Sequence, residues 1–379
     1  MKFSSNTLLA ATAALALGFS SCQPDDEFSY TVPETYSFEN VSYSGQSARL
    51  DMMAEITSYI KTAHISNASP LDAAKIKDMY GDNTGNHFST TDLNNSTKQL
   101  KSKTLSTAQN SFEAYMDAVA LASQSTNMTA SNGQAGIGTS TDNAGVTKSY
   151  LFNENGIELT QVIEKGLMGA CFYYQGTSVY MGAGKMDVNS VDNTIVTDGE
   201  GTEMEHHWDE AFGYWGVNKD FPINTTDIRF WGKYTNVHEV VYPLNKKMMD
   251  AFIKGRAAIS AQDIETRDAQ IIILRKNWEL VVAATSIYYL NNVKDDLTTD
   301  PSAAYHGLSE VFGFISALKF GTGASGITEI QVNTILSDLF GDSDALQANN
   351  YTVTLVKIEA AKTALAAIFT DLESVKDSL

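Results

Sequence analysis

The segment His206–Tyr214 reads HHWDEAFGY, and the segment His306–Phe314 reads HGLSEVFGF. Both have the pattern His-x-x-x-Glu-x-Phe-Gly-aromatic. On a helix, with about 100° of rotation per residue, the His, Glu and Gly of each segment share one narrow face, and mostly apolar side chains cover the remaining arc. A helix that is apolar over most of its circumference is buried. The sequence therefore predicts two buried helices that each carry a His/Glu stripe.

The elements before these two segments are also repeated. Glu164 and the pair Tyr173-Tyr174 precede the first segment, and Glu279 and the pair Tyr288-Tyr289 precede the second. This order predicts an all-α, internally duplicated chain of two packed four-helix-bundle-like halves with long irregular connections. The approximate halves are 41–240 and 241–379.

Helical periodicity is common in the rest of the chain, and strand patterns are scarce. Predicted helices cover residues 47–65, 70–79, 105–124, 157–180, 203–217, 243–259, 261–292, 301–319, 327–340 and 351–378. Residues 125–149 are rich in Ser, Thr, Asn and Gly, which predicts a long solvated loop. Cys171 lies in an apolar helical run, so we expect a buried thiol without a chemical role.

The N-terminus has the pattern of a lipoprotein signal. Residues 1–21 combine Lys2 with a short apolar run that ends in small residues before Cys22. This pattern predicts a removed signal peptide, lipidation of Cys22 and a membrane contact through that lipid. An ordinary signal peptide with an incidental cysteine is the alternative. Residues 22–40 begin with an acidic, proline-containing stretch and are predicted to be a flexible tether, followed by a helical domain at 41–379. We expect an outer-membrane lipoprotein that faces the cell surface or, as the alternative, the periplasm.

The composition excludes one class of partner. The chain has 45 acidic and 26 basic residues, for a formal net charge of −19. A protein that binds nucleic acid needs a basic face, and the sequence shows none. Hydrophobic residues make up 43% of the chain, which is enough for a large globular core.

The two His/Glu stripes are candidate metal sites, because helical bundles build such sites from Glu and His at helical spacing. The first stripe offers up to four ligands: Glu203, His206, His207 and Glu210. The second offers His306 and Glu310. The residues alone leave open a second interpretation, in which the same side chains form a structural polar network.

The motif Glu205-x-His207-x-x-Glu210, in a duplicated helical chain with an export signal, resembles the imelysin-like family, whose signature is Gly-x-His-x-x-Glu. Residues 207–214 (HWDEAFGY) and 230–234 (FWGKY) are similar to those of Gram-negative lipoproteins near that family. The resemblance implies two four-helix bundles and a metal site, with iron or zinc as the ion. It also implies a link to iron uptake with an envelope transport partner, and the peptidase label that some members carry. Glu205 stands where the signature has glycine.

Residues 227–234 are dense in aromatic and cationic side chains. Arg229, Trp231, Lys233 and Tyr234 are candidates for a ligand wall over the His/Glu site, with a cation that receives an anionic group. In the alternative, which we favour, the segment is a packed connection whose aromatic side chains fill the core.

We therefore expect an envelope lipoprotein that binds a metal ion or a metal-containing ligand through a His/Glu cluster. A metallopeptidase of the imelysin type is one alternative, but the His-Glu-x-x-His motif is absent, so catalysis is not favoured. A helical glycan-binding surface lipoprotein is another. Most of the four tryptophans fall in helices predicted to be buried, which argues against exposed tryptophan platforms.

Overall fold

The computed structural model describes residues 30–142 and 144–379. Within them the α-helices, in chain order, are α1 (Ser44–Lys61), α2 (Ala73–Tyr80), α3 (Thr91–Asn94), α4 (Ser106–Ala122), α5 (Leu159–Leu167), α6 (Ala183–Met186), α7 (Glu203–Trp215), α8 (Phe230–Val237), α9 (Asn245–Ser260), α10 (Ile264–Thr299), α11 (Pro301–Ala317), α12 (Glu329–Phe340) and α13 (Leu355–Ile368). A π-helix, Met168–Tyr180, continues α5, and the strands β1 (Gly136–Thr141) and β2 (Thr147–Phe152) pair antiparallel. The predicted all-α class is confirmed, and each of the ten predicted helical segments contains an observed helix.

Two predictions about connections are wrong. The segment predicted as a solvated loop contains the hairpin β1–β2, because Ile137, Leu151 and Phe152 are buried and anchor it on the core. The segment 227–234, predicted to be a connection, contains most of α8. In both cases burial of a few apolar side chains outweighs a local sequence typical of loops.

Local signals account for the ends of the two His/Glu helices. Thr202 and Glu205 form a capping box at the start of α7, and Gly216 ends this helix in the left-handed region at φ 82°. A Cβ at residue 216 would lie 2.5 Å from the carbonyl oxygen of Arg229, so only glycine permits this approach. Asp300 caps α11, and Pro301 occupies its first turn.

The core is a single hydrophobic cluster that draws on both predicted halves. All four tryptophans and Cys171 are fully buried, as expected from the sequence. The internal duplication stays a prediction. No helix in residues 30–142 and 144–379 is both long and apolar enough to cross a bilayer.

The predicted lipid anchor, Cys22, and the predicted signal peptide lie outside the described residues. The described part of the predicted tether, residues 30–40, is not free of the domain. Tyr36 is fully buried, stacks on Phe212 with ring centroids 3.9 Å apart, and donates a hydrogen bond to Asp209 at 2.6 Å. The folded domain therefore begins before residue 41, because this aromatic side chain belongs to the core.

Each His/Glu helix is crossed closely by a neighbour at the glycine one turn after the Glu. A Cβ at Gly213 of α7 would lie 2.6 Å from the Cβ of Tyr43, just before α1. A Cβ at Gly313 of α11 would lie 2.5 Å from the Cβ of Lys165 on α5. These glycines thus set how closely α1 and α5 approach the two stripes.

We expect Gly313→Ala to lower the free energy of unfolding by about 1–3 kcal/mol through overpacking. The added methyl group meets the Cβ of Lys165, which is bonded directly to the backbone and cannot rotate away. The gain of about 1 kcal/mol in helix propensity from Gly to Ala offsets only part of this cost. Urea unfolding followed by circular dichroism measures the change. Gly184→Ala is the matched control, because a Cβ at residue 184 meets nothing within 4 Å. Equal stability of the two variants would contradict the close crossing.

Candidate functional site

The first cluster lies on α7 and is mostly enclosed. His207 is buried, His206 is partly buried, and Glu203 is half exposed, with 53% of its side chain accessible. The Nδ1 of His207 donates to Glu210 at 3.2 Å, and its Nε2 lies 3.1 Å from Nζ of Lys185. Both nitrogens of this ring are therefore engaged by side chains of the chain itself.

Glu210 is the centre of this cluster. Gln46 Nε2 donates to it at 2.8 Å, and the Tyr180 hydroxyl donates at 3.0 Å. Burial alone would raise the pKa of Glu210, but the hydrogen bonds from His207, Gln46 and Tyr180 and the charge of His206 lower it to about 2. Lys103 extends the network by donating to the Tyr180 hydroxyl at 2.8 Å. The carboxylate of Glu210 is thus satisfied within the fold, whereas Nδ1 of His206 is buried without a hydrogen-bond partner among the described residues.

The four candidate ligands of this cluster do not converge on one point. The Nε2 of His207 is 3.6 Å from Glu203, whereas Glu210 lies on the Nδ1 side of the same ring. His206 Nε2 is 4.0 Å from Glu210, and the two imidazole rings are 6.3 Å apart. A metal ion needs several ligand atoms about 2 Å from one point. In the part of the chain that the structure describes, no group of three or more His, Cys, Asp or Glu side chains could hold a metal ion. Metal binding stays a prediction.

The second cluster joins α11 to the start of α5. The buried carboxylate of Glu158, just before α5, accepts a hydrogen bond from Nδ1 of His306 at 2.5 Å, and the Nε2 of the same ring lies 3.7 Å from Glu310. Tyr150 stacks on the imidazole with ring centroids 4.4 Å apart. Burial alone would lower the pKa of His306, but the charge and hydrogen bond of Glu158, with the charge of Glu310, outweigh it and raise the pKa. The imidazole thus favours its cationic form.

Lys165 carries a buried charge beside this pair. Its ammonium is 2.7 Å from Glu164 and 3.4 Å from Glu310, and it lies over the ring of Tyr234 at 5.4 Å. Burial alone would lower the pKa of Lys165, but the two carboxylates and Tyr234 raise it well above its ordinary value. Two carboxylates and an aromatic face therefore compensate this cation inside the fold.

A cavity of about 660 Å³ opens beside the second cluster. It is lined by Ala54 and Lys61 of α1, Lys148 of β2, Gln161, Glu164 and Lys165 of α5, Ile228, Arg229, Phe230, Lys233, Tyr234 and Val237 at α8, Tyr288 and Tyr289 of α10, and His306 and Glu310 of α11. Five of these side chains are lysine or arginine, and two are carboxylates. The cavity is thus cationic in a chain of net charge −19.

Some residues of the segment 227–234 line the cavity, and others are packed in the core, so each of the two alternatives holds for part of the segment. Arg229, Lys233 and Tyr234 line the cavity over His306 and Glu310. Trp231 is not part of this wall, because it is fully buried and its Nε1 donates to the carbonyl oxygen of Met168 at 2.8 Å. The indole therefore anchors α8 while the neighbouring residues face the cavity.

Sequence reasoning missed several residues of this site. Glu158, Gln161 and Lys165 alternate with apolar residues in and just before a helix that is largely buried, and polar side chains at such positions are the signal that could have identified them. The role of Glu205 was also missed, although Thr202-x-x-Glu205 has the pattern of a capping box. Glu205 and Asp209 form a buried ion-pair network with Arg256 on α9.

Fold and site together define a helical protein with a cationic, aromatic-lined cavity at a buried His/Glu cluster. A family model, described as Domain of unknown function (DUF4856), matches residues 33–369. The chain belongs to this family. No curated protein and no solved structure matches the chain.

We expect Glu210→Gln to lower stability near neutral pH and to remove part of its acid dependence. A carboxyl group with a depressed pKa stabilises the fold above its unfolded pKa, and that contribution is lost as the pH falls through the folded pKa. The folded pKa is about 2 against an ordinary 4.5. At about 1.4 kcal/mol per unit of pKa, this carboxyl contributes roughly 3 kcal/mol that the variant lacks.

Urea unfolding at a series of pH values from about 2 to 7 measures this difference across both pKa values. Glu203→Gln, a change on the exposed side of the same helix, is the control and should behave as wild type. Parallel pH profiles for wild type and Glu210→Gln would contradict the assignment.

Proposed function

We propose that this protein is an envelope lipoprotein that binds a small carboxylate-bearing ligand in the His306 cavity. The observation that supports this most is the state of two lysines at the cavity. Lys148 and Lys233 are exposed, and within residues 30–142 and 144–379 neither has a carboxylate within 4.0 Å. Two such cations in one cavity form a receptor for anionic groups.

The cavity is a cationic exception on an acidic protein. Most of the surface field of an acidic protein repels anions, so a concave cationic site concentrates the favourable potential at one place. His306 adds a further donor, because its raised pKa favours the imidazolium form. Arg229 is less available, since its guanidinium pairs with Asp51.

The apolar and polar parts of the cavity suit a small organic acid. The rings of Phe230, Tyr288 and Tyr289 offer faces for the carbon skeleton. Gln161 also lines the cavity and adds a polar amide beside these rings. These features support binding and positioning of a ligand.

The predicted link to metals is compatible with this proposal when the metal is bound in an anionic chelate. Five lysine or arginine side chains against two carboxylates leave the cavity lining with an excess of positive charge, which disfavours a bare metal ion, whereas a metal chelated by carboxylates carries the negative charge that the cavity favours. An anionic metal chelate as the ligand therefore keeps three expectations from the sequence within this proposal. They are the imelysin-like resemblance, the role in iron uptake and the envelope transport partner. The envelope location rests on the sequence before Cys22.

Isothermal titration with citrate, ferric citrate and zinc chloride tests the proposal. Citrate or ferric citrate should bind, with an affinity that falls as salt increases. The double variant Lys148→Gln/Lys233→Gln should bind about 5- to 30-fold more weakly, which corresponds to roughly 0.5–1 kcal/mol for each exposed cation. Preference for ferric citrate over citrate would identify a metal chelate as the cargo.

Lys98→Gln/Lys247→Gln removes two exposed lysines outside this cavity and is the matched control. An equal loss in this control, or no binding of either citrate form, would contradict the proposal. Stoichiometric zinc that is lost in His207→Ala/Glu210→Ala would instead support a bare metal site at the first cluster.

A further inference from the structure

The His306 cavity continues into a groove along α1. Two neighbouring concave regions, of about 380 and 770 Å³, share Ala54 with the cavity, and the smaller one also shares Lys61, Glu164 and Phe230. Ala54 is exposed and small, and it lines all three regions. The three regions form one surface, which we call the α1 groove.

The groove is longer than a single organic acid. Its floor includes Ser47, Asp51, Ala54, Ser58 and Lys61, which lie three or four residues apart on one face of α1. From Ser47 to Lys61, the helical rise of about 1.5 Å per residue gives a length of roughly 21 Å. A ligand that fills it consists of several linked units.

The charge changes sign along this length. The cavity end is cationic, whereas the far end contains the carboxylates of Glu55 and Asp92 beside Ser44 and Ser47, with Asp51 paired to Arg229 between the two ends. Acidic groups along the whole ligand would meet repulsion at the far end. The distribution instead fits one acidic unit in the cavity, followed by neutral units with hydroxyl groups.

The elements that build the groove argue against a peptide. Apart from Lys148, its lining side chains come from helices and helix-flanking segments, and helical backbone groups are bonded within the helix, so they offer no edge to an extended peptide. An amphipathic helical peptide would need a continuous apolar floor, but the α1 face is mostly serine, aspartate and lysine. Sugar rings match the remaining features, since they combine hydroxyl edges with faces that stack on aromatic rings.

Backbone strain marks the junction of cavity and groove. Phe230 lines both regions and has φ 45°, in the left-handed region that bulky residues rarely adopt. Trp231, next to it, is locked in the core through its bond to Met168. The surrounding structure therefore holds the Phe230 ring at this junction at a local energetic cost, as is common at ligand sites.

We propose that the ligand is an acidic oligosaccharide, whose single uronic acid occupies the His306 cavity and whose neutral sugars follow α1 past Ala54. This inference rests on the proposed function, because it assigns the carboxylate of that ligand to a sugar acid.

Titration calorimetry with defined sugars tests the inference. The probes are glucuronic acid, an aldotriouronic acid with one uronic acid and two neutral sugars, neutral xylotriose, and tri-galacturonate with three acids. We expect the aldotriouronic acid to bind at least about tenfold more tightly than glucuronic acid and than either other trisaccharide. Tri-glutamate serves as the peptide probe and should bind more weakly than the aldotriouronic acid.

Ser58→Trp, at an exposed position of the groove that does not line the His306 cavity, should block the groove and remove the advantage of the trisaccharide, while glucuronic acid binds within about twofold of wild type. Ala54→Trp, where the three regions meet, provides a second variant should the first fail to fold. Because Ala54 also lines the cavity, the quantity compared for this variant is the ratio of the trisaccharide affinity to the glucuronic acid affinity. Ala360→Trp, at an exposed alanine of α13, is the matched control and should bind all probes as wild type does.

The outcomes separate the two proposals. If glucuronic acid binds through Lys148 and Lys233 but the trisaccharide gains nothing, or if Ala54→Trp and Ser58→Trp leave its gain intact, the extended saccharide is wrong and the carboxylate site stands. Tighter binding of tri-glutamate would also overturn the saccharide. If neither the sugar acids nor citrate bind to wild type, the proposed function itself is wrong.

Discussion

At Gly313 the helices α5 and α11 approach so closely that a methyl group would lie 2.5 Å from the Cβ of Lys165. This approach buries Lys165, and a buried ammonium must be paired. Glu164 precedes it on the same helix, and Glu310 lies one turn before the glycine, so the crossing itself supplies both partners. The same crossing brings Glu158, at the start of α5, against His306. The crossing of α5 and α11 therefore determines which charges are compensated inside the fold.

The proposed function depends on two cations that this crossing does not compensate. Lys148 on the hairpin and Lys233 on α8 face the same cavity, but they are held there by other parts of the core. Phe152 anchors the hairpin, and Trp231 anchors α8. The fold neutralises the inner cations, which belong to a rigid floor of the site. The outer cations are not neutralised, and they form a rim that can receive an anion.

The sequence predicted the helices well because their signals are local. The His/Glu helices, their apolar faces and the cap at Asp300 all follow from residues within one or two turns. The hairpin and α8 were missed because their structure depends on burial of Phe152 and Trp231 against distant helices. At the site, His306 and Glu310 were identified by their spacing, and Arg229, Lys233 and Tyr234 by their density. These residues meet in one cavity because of long-range packing between helices, and no local sequence pattern specifies that packing.

The two His/Glu stripes show why one motif can serve two purposes. In α7 the helix that crosses at the glycine contributes Gln46, a neutral donor, and Tyr180 adds a second, so Glu210 is satisfied within the fold. In α11 the crossing helix contributes Lys165, and the histidine is bound by Glu158 behind it. The Nδ1 of His306 thus points to a buried carboxylate, while the ring edge remains part of a cavity wall. The motif specifies a buried helix with a close crossing, and the residue brought by the crossing helix decides whether the stripe becomes a closed polar network or the floor of the cavity for which we propose binding.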